Sequence, residues 1–400
     1  MVVIENLLNL DEDRMGIFMF GPYTTTKGNF DNVCYMGNKV FGKIDNILRS
    51  SYDTQEPSSH VNDLKNNAMW PKISHINNRI FRSSVEYFHS LDALFVPLPL
   101  VTRMISSPGA VYGKKAINYT TDTCPITLDW FDLSQKAFLS ESSQIYLEIS
   151  LIQQNIDHVF SIYNSFRKEQ TDATHLSEFH HIEYEGKVTQ EKNEEIALGL
   201  VNKIIRDLVA FESASLRHFL PDQKIKELVD FVENPNKNIH RVTFTEALDA
   251  LYRDTKNEKY KKFTLNGNFG SWEEIRLTEI YDGMMIVKRF PLLEVPFYHA
   301  IVEGSSPEVA ENSDFIWPGY REFIGSGLRV RSQKELENKV LIFNLPRNDY
   351  LPYLQTRQFP DYQSSAGFGL GWERLTQGLL QMPFIWSASH FPRSDKTLAL

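Results

Sequence analysis

The chain has 400 residues, 42% hydrophobic, 23% charged and 12% aromatic, which excludes a disordered, collagenous or small disulfide-stapled protein and implies a large buried core. Lys and Arg number 42 against 51 Asp and Glu, a formal charge of -9, so a broad nucleic-acid footprint is disfavoured and any polyanion is expected at a focused site. Cys34 and Cys124 lie far apart and match no metal-ligand spacing, and no apolar run reaches membrane-span length. Reduced thiols in a soluble, cytoplasmic protein are expected, with no membrane partner.

In chain order, GIFMF, Gly21, Pro22 and Gly28 read as short strands and turns, and Ser50 to Lys72, rich in Ser, Asp, Asn and Pro, as a loop or linker. Residues 1–72 are expected to be a small N-terminal segment with its linker, and 73–400 the main domain. Beyond Ile73, residues Ile76, Ile80, Phe81, Val85 and Phe88 recur at helical spacing, and Leu94-Phe95-Val96, stopped by Pro97 and Pro99, reads as a strand. Phe138-Leu139, 158–163 and 179–185 look like strands. Ile196, Leu200, Ile204, Leu208 and Phe211 form one stripe of a long amphipathic helix. Strand-like runs follow at 284–290, 313–317, 323–330 and 339–343. Strands outnumber crossover helices, so the fold class is α+β, a mostly antiparallel sheet flanked by helices.

Three segments carry charge where a bland core has none. In 165–185, Arg167 and Glu169 end one strand and Glu178-Phe179 opens the return strand, a set that can clamp a phosphate, hold an amine and stack a base; a surface hairpin with a salt bridge has the same composition. In 311–330, the turn at Trp317-Pro318-Gly319 can bring Asp314 and Glu322 together as an oxygen-rich site for magnesium on phosphates. Gly325-Ser326-Gly327 allows close backbone approach beside Arg329, or marks a bulge. In 366–380, glycines alternate at 367, 369 and 371 before Glu373-Arg374 opens a helix. That spacing matches neither the dinucleotide fingerprint nor the phosphate loop.

The three segments in this order resemble the catalytic core of class II aminoacyl-tRNA synthetases, asparaginyl/aspartyl branch. The family's first motif is similar to 73–102 with Pro99. Its second resembles Phe166-Arg167-Lys168-Glu169 with Glu178-Phe179, and its third Gly369-Leu370-Gly371-Trp372-Glu373-Arg374. SSQIYLE at 142–148, RFP at 289–291, PFY at 296–298 and FPR at 391–393 resemble further branch segments. The resemblance implies ATP bent over the sheet, adenine on Phe179, α-phosphate on Arg167 with Glu169 beside it, and γ-phosphate on Arg374. Asp314 and Glu322 would hold Mg2+. A substrate carboxylate attacks the α-phosphorus and gives an acyl adenylate, chiefly by positioning and charge neutralisation. Ser142, Gln144, Glu148, Arg329 and Ser107 are implied around an aspartate- or asparagine-like amino acid. Glu148, with Leu147 where the aspartyl enzymes place lysine, makes that pocket asparaginyl in type. The first motif implies a homodimer through 73–102. His180, His181 and His299 are expected to be structural, because adenylation needs no base.

The sequence also departs from the family. About 70 residues precede the first motif and show no pattern of the branch's anticodon-binding barrel, and 170–177 contain no Lys or Arg, where family members often carry arginines that meet the acceptor stem. Ser107-Pro108-Gly109-Ala110 stands where the family has a glutamate for the substrate's α-ammonium, and Ser365 and Ala366 stand where it often has histidine and glycine. These departures lead to an expected ATP-dependent ligase that passes an activated aspartate- or asparagine-like carboxylate to an amine without tRNA, as synthetase-like asparagine synthetases do. A tRNA ligase is the alternative, and a non-catalytic nucleotide-binding module a further one.

Overall fold

The computed structural model describes residues 19–25, 28–36, 39–43, 57–106, 125–168, 171–235, 237, 239–262 and 269–395, with side chains from residue 60 onward. Strands β1 (Met19–Thr25), β2 (Gly28–Met36) and β3 (Lys39–Lys43) form an antiparallel sheet in that order. The segment expected to be a loop contains helix α1 (Pro57–Asn66), and α2 (Met69–His89) begins inside it. Its polar composition serves the junction rather than a linker: Asn67 Oδ1 accepts the Met69 N–H at 2.9 Å, and the Trp70 indole donates to Asp63 at 2.6 Å. Residues 50–56 and Cys124 lie outside the described residues, as does the Cys34 side chain.

After β4 (Leu94–Phe95) comes a small sheet of β5 (Val101–Thr102), β6 (Thr127–Leu128) and β7 (Ala137–Leu139). Helix α3 (Gln144–Ser150) precedes the long hairpin β8 (His158–Phe166) and β9 (Glu178–Gly186). Helices α4 (Gln190–Phe211), α5 (Ser213–Phe219) and α6 (Asp222–Glu233) then pack, and β10 (Ile239–Thr243), α7 (Phe244–Thr255) and α8 (Ser271–Tyr281) follow. The chain closes with β11 (Met284–Lys288), β12 (Asn312–Ile316), β13 (Glu322–Leu328), α9 (Gln333–Ile342), α10 (Arg347–Gln355), β14 (Ala366–Gly371) and α11 (Trp372–Leu379).

The main sheet runs β10-β11-β12-β13-β14-β9-β8-β4, antiparallel from β11 to β8 with a parallel pair at each edge. Period-two alternation splits it into a core face and a site face. Ile182, Tyr184, Ile324, Phe368 and Leu370 join the same buried cluster as α2 and α4 residues, with Phe88 stacked 4.7 Å from Phe160 and 5.9 Å from Tyr184. The residues between them, Phe179, His181, Glu183 and Glu185 on β9 and the glycines of β13 and β14, take the opposite face.

Residues 339–343, expected to be a strand, belong to α9 and its end. Ser332 caps the helix by accepting the Glu335 N–H, and Leu336, Val340 and Phe343 are buried at helical spacing while Leu341 is 75% exposed. A short apolar run does not separate the two periods by itself. The run at 284–290 ends as a strand at Lys288, where Arg289 turns at φ 63. Among the described residues no helix is long and apolar enough to cross a membrane.

Candidate active site

The site face is a trough whose floor lacks side chains. Gly325 pairs with Gly369 and Gly327 with Gly367 across β13 and β14. A Cβ on Gly367 would lie 2.0 Å from Glu185 Oε2 and 2.4 Å from Gln144 Nε2, so two neighbouring polar groups need this backbone bare. The alternating glycines are therefore strand positions under a site and not a turn.

At one end, Arg167, Phe179, His181, Glu322 and Arg374 line a cleft together with Thr174 and His175 of the 171–177 loop. The Arg167 guanidinium lies 5.2 Å from the Phe179 ring centroid, and its buried Nε has no hydrogen-bond partner among the described residues. Arg374 Nη1 donates to the Glu322 carbonyl at 2.9 Å. His181 is buried and bonds Ser165 through Nδ1 at 2.7 Å; burial, with Arg167 and Arg374 nearby, holds it well below the usual imidazole range. His180 instead bonds Glu373 at 2.6 Å, and Glu373 also accepts the His180 N–H at 2.9 Å.

A register shift at the start of β13 brings Glu322 toward the site, where its Oε1 lies 2.8 Å from a Cβ built on Gly325, the residue paired with Asp314. Burial and then Glu322 push Asp314 well above the usual carboxylate range, and burial pushes Glu322 up against the pull of Arg374. Two adjacent carboxylates that resist ionising together fit a cation that bridges phosphates, since Mg2+ is commonly held by one or two carboxylates plus phosphate oxygens. Among the described residues no group of three or more His, Cys, Asp or Glu could hold a metal unaided.

The other end is a network of buried ion pairs. Arg329 is 1% exposed and grips Glu185, Nε to Oε1 at 2.9 Å and Nη2 to Oε2 at 2.7 Å. Glu185 also accepts from Ser365 at 2.7 Å and from Gln144 at 3.0 Å. Glu148 pairs with Arg357 and takes hydroxyl hydrogen bonds from Tyr353 and, at 3.0 Å, from Tyr362. Glu148 and Arg329, read in the sequence as joint substrate holders, thus each have a different protein partner. Between the two ends sits Glu183, 1% exposed, with Ser142 Oγ donating to Oε1 at 2.6 Å and a buried Oε2 that has no hydrogen-bond partner among the described residues. Burial raises its pKa to about 7. His299 is buried with its ring against Gly327, and burial holds it well below the usual range.

Ser107 and Glu169 lie outside the described residues. The structure brings Arg167, Phe179, Asp314, Glu322 and Arg374 to one end and Ser142, Gln144, Glu148 and Arg329 to the other. Sequence reasoning missed Glu183, Glu185, Arg321, Arg357 and Glu274. Glu183 and Glu185 had a signal, since FHHIEYE alternates carboxylates with Ile182 and Tyr184 in a strand-like run.

Residues 56–395 match the family described as tRNA synthetases class II (D, K and N). Asparagine–tRNA ligase of Thermus thermophilus is 29% identical over 325 residues, 80% of this chain and 69% of that protein. The Pyrococcus furiosus enzyme of the same name is 29% identical over 68% of this chain and 59% of its own length. Among solved structures, asparaginyl-tRNA synthetase from Pyrococcus horikoshii with asparaginyl-adenylate superposes with a TM-score of 0.73 at 24% identity, covering 86% of this chain and 73% of that one. Aspartyl-tRNA synthetase from Entamoeba histolytica gives 0.65 at 18%, covering 87% and 64%. These likenesses correct the expected tRNA-independent, asparagine synthetase-like ligase: the relatives are named as tRNA ligases, which favours the alternative, a tRNA ligase. The chain belongs to the class II tRNA synthetases (D, K and N), in the asparaginyl/aspartyl branch, and is an adenylate-forming, ATP-dependent ligase.

Proposed function

We propose that the protein activates asparagine with ATP and transfers the asparaginyl group to tRNA. The observation that carries the choice of amino acid is charge balance at the side-chain end of the pocket. Arg329 is neutralised by Glu185 and Arg357 by Glu148. Among the described residues a second carboxylate there would find both arginines already paired, whereas a carboxamide needs only a donor and an acceptor. The names of the relatives support the same amino acid and acceptor.

In this reading Glu183 takes the substrate's α-ammonium through Oε2, which has no hydrogen-bond partner among the described residues, in place of the carboxylate absent at Ser107. The adenine stacks on Phe179, Arg167 meets the α-phosphate and Arg374 the γ-phosphate. Asp314 and Glu322 would hold Mg2+, which supplies charge neutralisation to the polyphosphate. The asparagine carboxylate attacks the α-phosphorus as the bond to the β-phosphate breaks and pyrophosphate leaves. The terminal tRNA hydroxyl then attacks the acyl carbon and AMP departs. No protein nucleophile is needed, and the arginines act by preorganised charge.

The same reading includes a homodimer through α2 and β4. Leu94 and Phe95 on the edge strand β4 are 52% and 53% exposed and Phe81 on α2 is 47% exposed, a combination that edge strands normally avoid unless covered. The test of function is pyrophosphate exchange followed by mass spectrometry of total tRNA. Asparagine-dependent exchange and asparaginyl-tRNA are expected; exchange driven better by aspartate, or no charged tRNA, would overturn the proposal.

A further inference from the structure

Arg321 precedes Glu322 at the turn into β13 and is 8% exposed. A guanidinium taken out of water is costly unless it is paired and hydrogen-bonded. Its Nε and Nη2 approach the two Glu274 oxygens at 3.2 and 3.3 Å, a fork-to-fork pair between residues 47 apart in sequence. Its Nη1 turns the opposite way, donating to His175 Nε2 and lying 3.4 Å from Thr174 Oγ1. The His175 Nδ1 bonds Asp172 at 2.8 Å, which leaves Nε2 as the acceptor for Arg321. A polar chain, Glu274 to Arg321 to His175 to Asp172, therefore joins α8 to the loop at 171–177. Thr174 and His175 are the loop residues that line the cleft with Arg167 and Arg374.

Three features separate this chain from an ordinary buried salt bridge. Residues 170–177 contain no Lys or Arg, so the loop brings no permanent positive charge to the cleft it borders. Arg167 and Arg374 line the cleft whose border Arg321 reaches through His175, so a third guanidinium is joined to the wall beside the two expected to meet phosphates. Glu274, besides pairing with Arg321, also accepts the Glu322 N–H at 2.8 Å. One carboxylate thereby orients both the extra arginine and the residue assigned to Mg2+.

We propose that Arg321 is a positioning residue for the β- and γ-phosphates of ATP, supplying from the turn into β13 the positive charge that the 170–177 loop lacks and holding His175 and Thr174 toward the triphosphate. The inference rests on the ATP-dependent reading above. It acts through His175 and through its field at Arg374, and the adenosine and α-phosphate are served by other residues. Its signature is thus a difference between nucleotides: ATP affinity depends on Arg321 and AMP affinity does not.

Calorimetric titration of the full chain with ATP and with AMP, both with Mg2+, tests this in the wild type, Arg321→Lys, Arg321→Met and the double variant Arg321→Met/Glu274→Gln. The double variant removes both charges of the pair, so it guards against misfolding from an unpaired buried glutamate. ATP binding is expected to weaken about tenfold in the Met and double variants, with AMP unchanged and Lys recovering most of the loss. Equal losses for ATP and AMP, or unchanged ATP affinity in the double variant, overturn the role of Arg321. A wild type that binds neither nucleotide overturns the ATP reading itself, and this inference with it.

Discussion

Replacing Glu183 by Gln separates two opposed effects of one carboxylate. Burial raises the Glu183 pKa from 4.5 to about 7, and a shift of that size is worth about 3 kcal/mol between the two protonation states. The folded-state pKa lies above the unfolded one, so the associated stability is fully present below pH 4.5 and is lost as pH rises through about 7. At pH 8 the unliganded protein carries a buried charge whose Oε2 has no hydrogen-bond partner among the described residues. Gln has nearly the same shape and no charge. For a chain of this length, recovering about 3 kcal/mol raises Tm by roughly 3 °C at pH 8, with little change at pH 5.

The same charge is required once an ammonium must be bound. About one tenth of Glu183 is ionised at pH 6 and about nine tenths at pH 8, so the wild-type KM for asparagine should be about tenfold higher at pH 6. The Gln variant forfeits a hydrogen bond between charged groups, worth about 1.5–3 kcal/mol, so its KM at pH 8 should rise roughly 10- to 150-fold. Its KM should also be flat from pH 6 to 8. Pyrophosphate exchange at three pH values and thermal melts of both proteins without ligand supply the data. A variant that keeps the wild-type pH dependence, or that melts lower than wild type at pH 8, refutes the assignment of the ammonium to Glu183.

Arg167→Ala and Arg374→Ala should each slow asparagine-dependent exchange about 10²- to 10³-fold, the cost of one preorganised donor, and exchange that survives either change removes that residue from the phosphate site. Arg357→Met leaves Glu148 buried without its counter-charge and should cost about 3–5 kcal/mol in urea unfolding; a loss below about 1 kcal/mol would show that Tyr353 and Tyr362 suffice. Gly367→Ala forces a Cβ against Glu185 Oε2 and the Tyr184 carbonyl, 2.0 and 2.5 Å away, and should cost about 1–3 kcal/mol together with most asparagine binding, which equilibrium unfolding and exchange measure side by side. Phe95→Glu on β4 should yield monomers in sedimentation, and a wild type already monomeric at micromolar concentration rules out the interface.

What the sequence made readable follows from where periodicity has one cause. Helices α2 and α4 each bury one apolar stripe, so spacing alone located them, while the hairpin β8–β9 was located by its apolar and aromatic runs although β9 is buried on both faces. Residues 339–343 misled because Val340 and Phe343 are buried while Leu341 stands exposed between them, and five residues are too few to separate a period of two from one of 3.6. The loop reading of Ser50 to Lys72 failed for another reason: polar residues such as Asp63 and Asn67 are spent on capping and joining two helices, a use that composition does not distinguish from solvation.

At the site, motif spacing reached the groups expected to touch substrate but not those that hold them. Arg329 was visible, yet its partner Glu185 lies 144 residues away and Glu274 lies 47 residues from Arg321, so no local pattern links them. Their need follows from electrostatics, because a guanidinium in the interior must find a carboxylate. The useful sign is therefore a carboxylate in a strand whose alternate residues are core. Glu183 and Glu185 are both within 1% of full burial, and for each the question is which cation meets it. Arg329 answers for Glu185. For Glu183 no group among the described residues hydrogen-bonds Oε2, and in the proposed function that buried anion, open between the end expected to bind phosphates and the charge-balanced end, is where an amino acid's ammonium would be met.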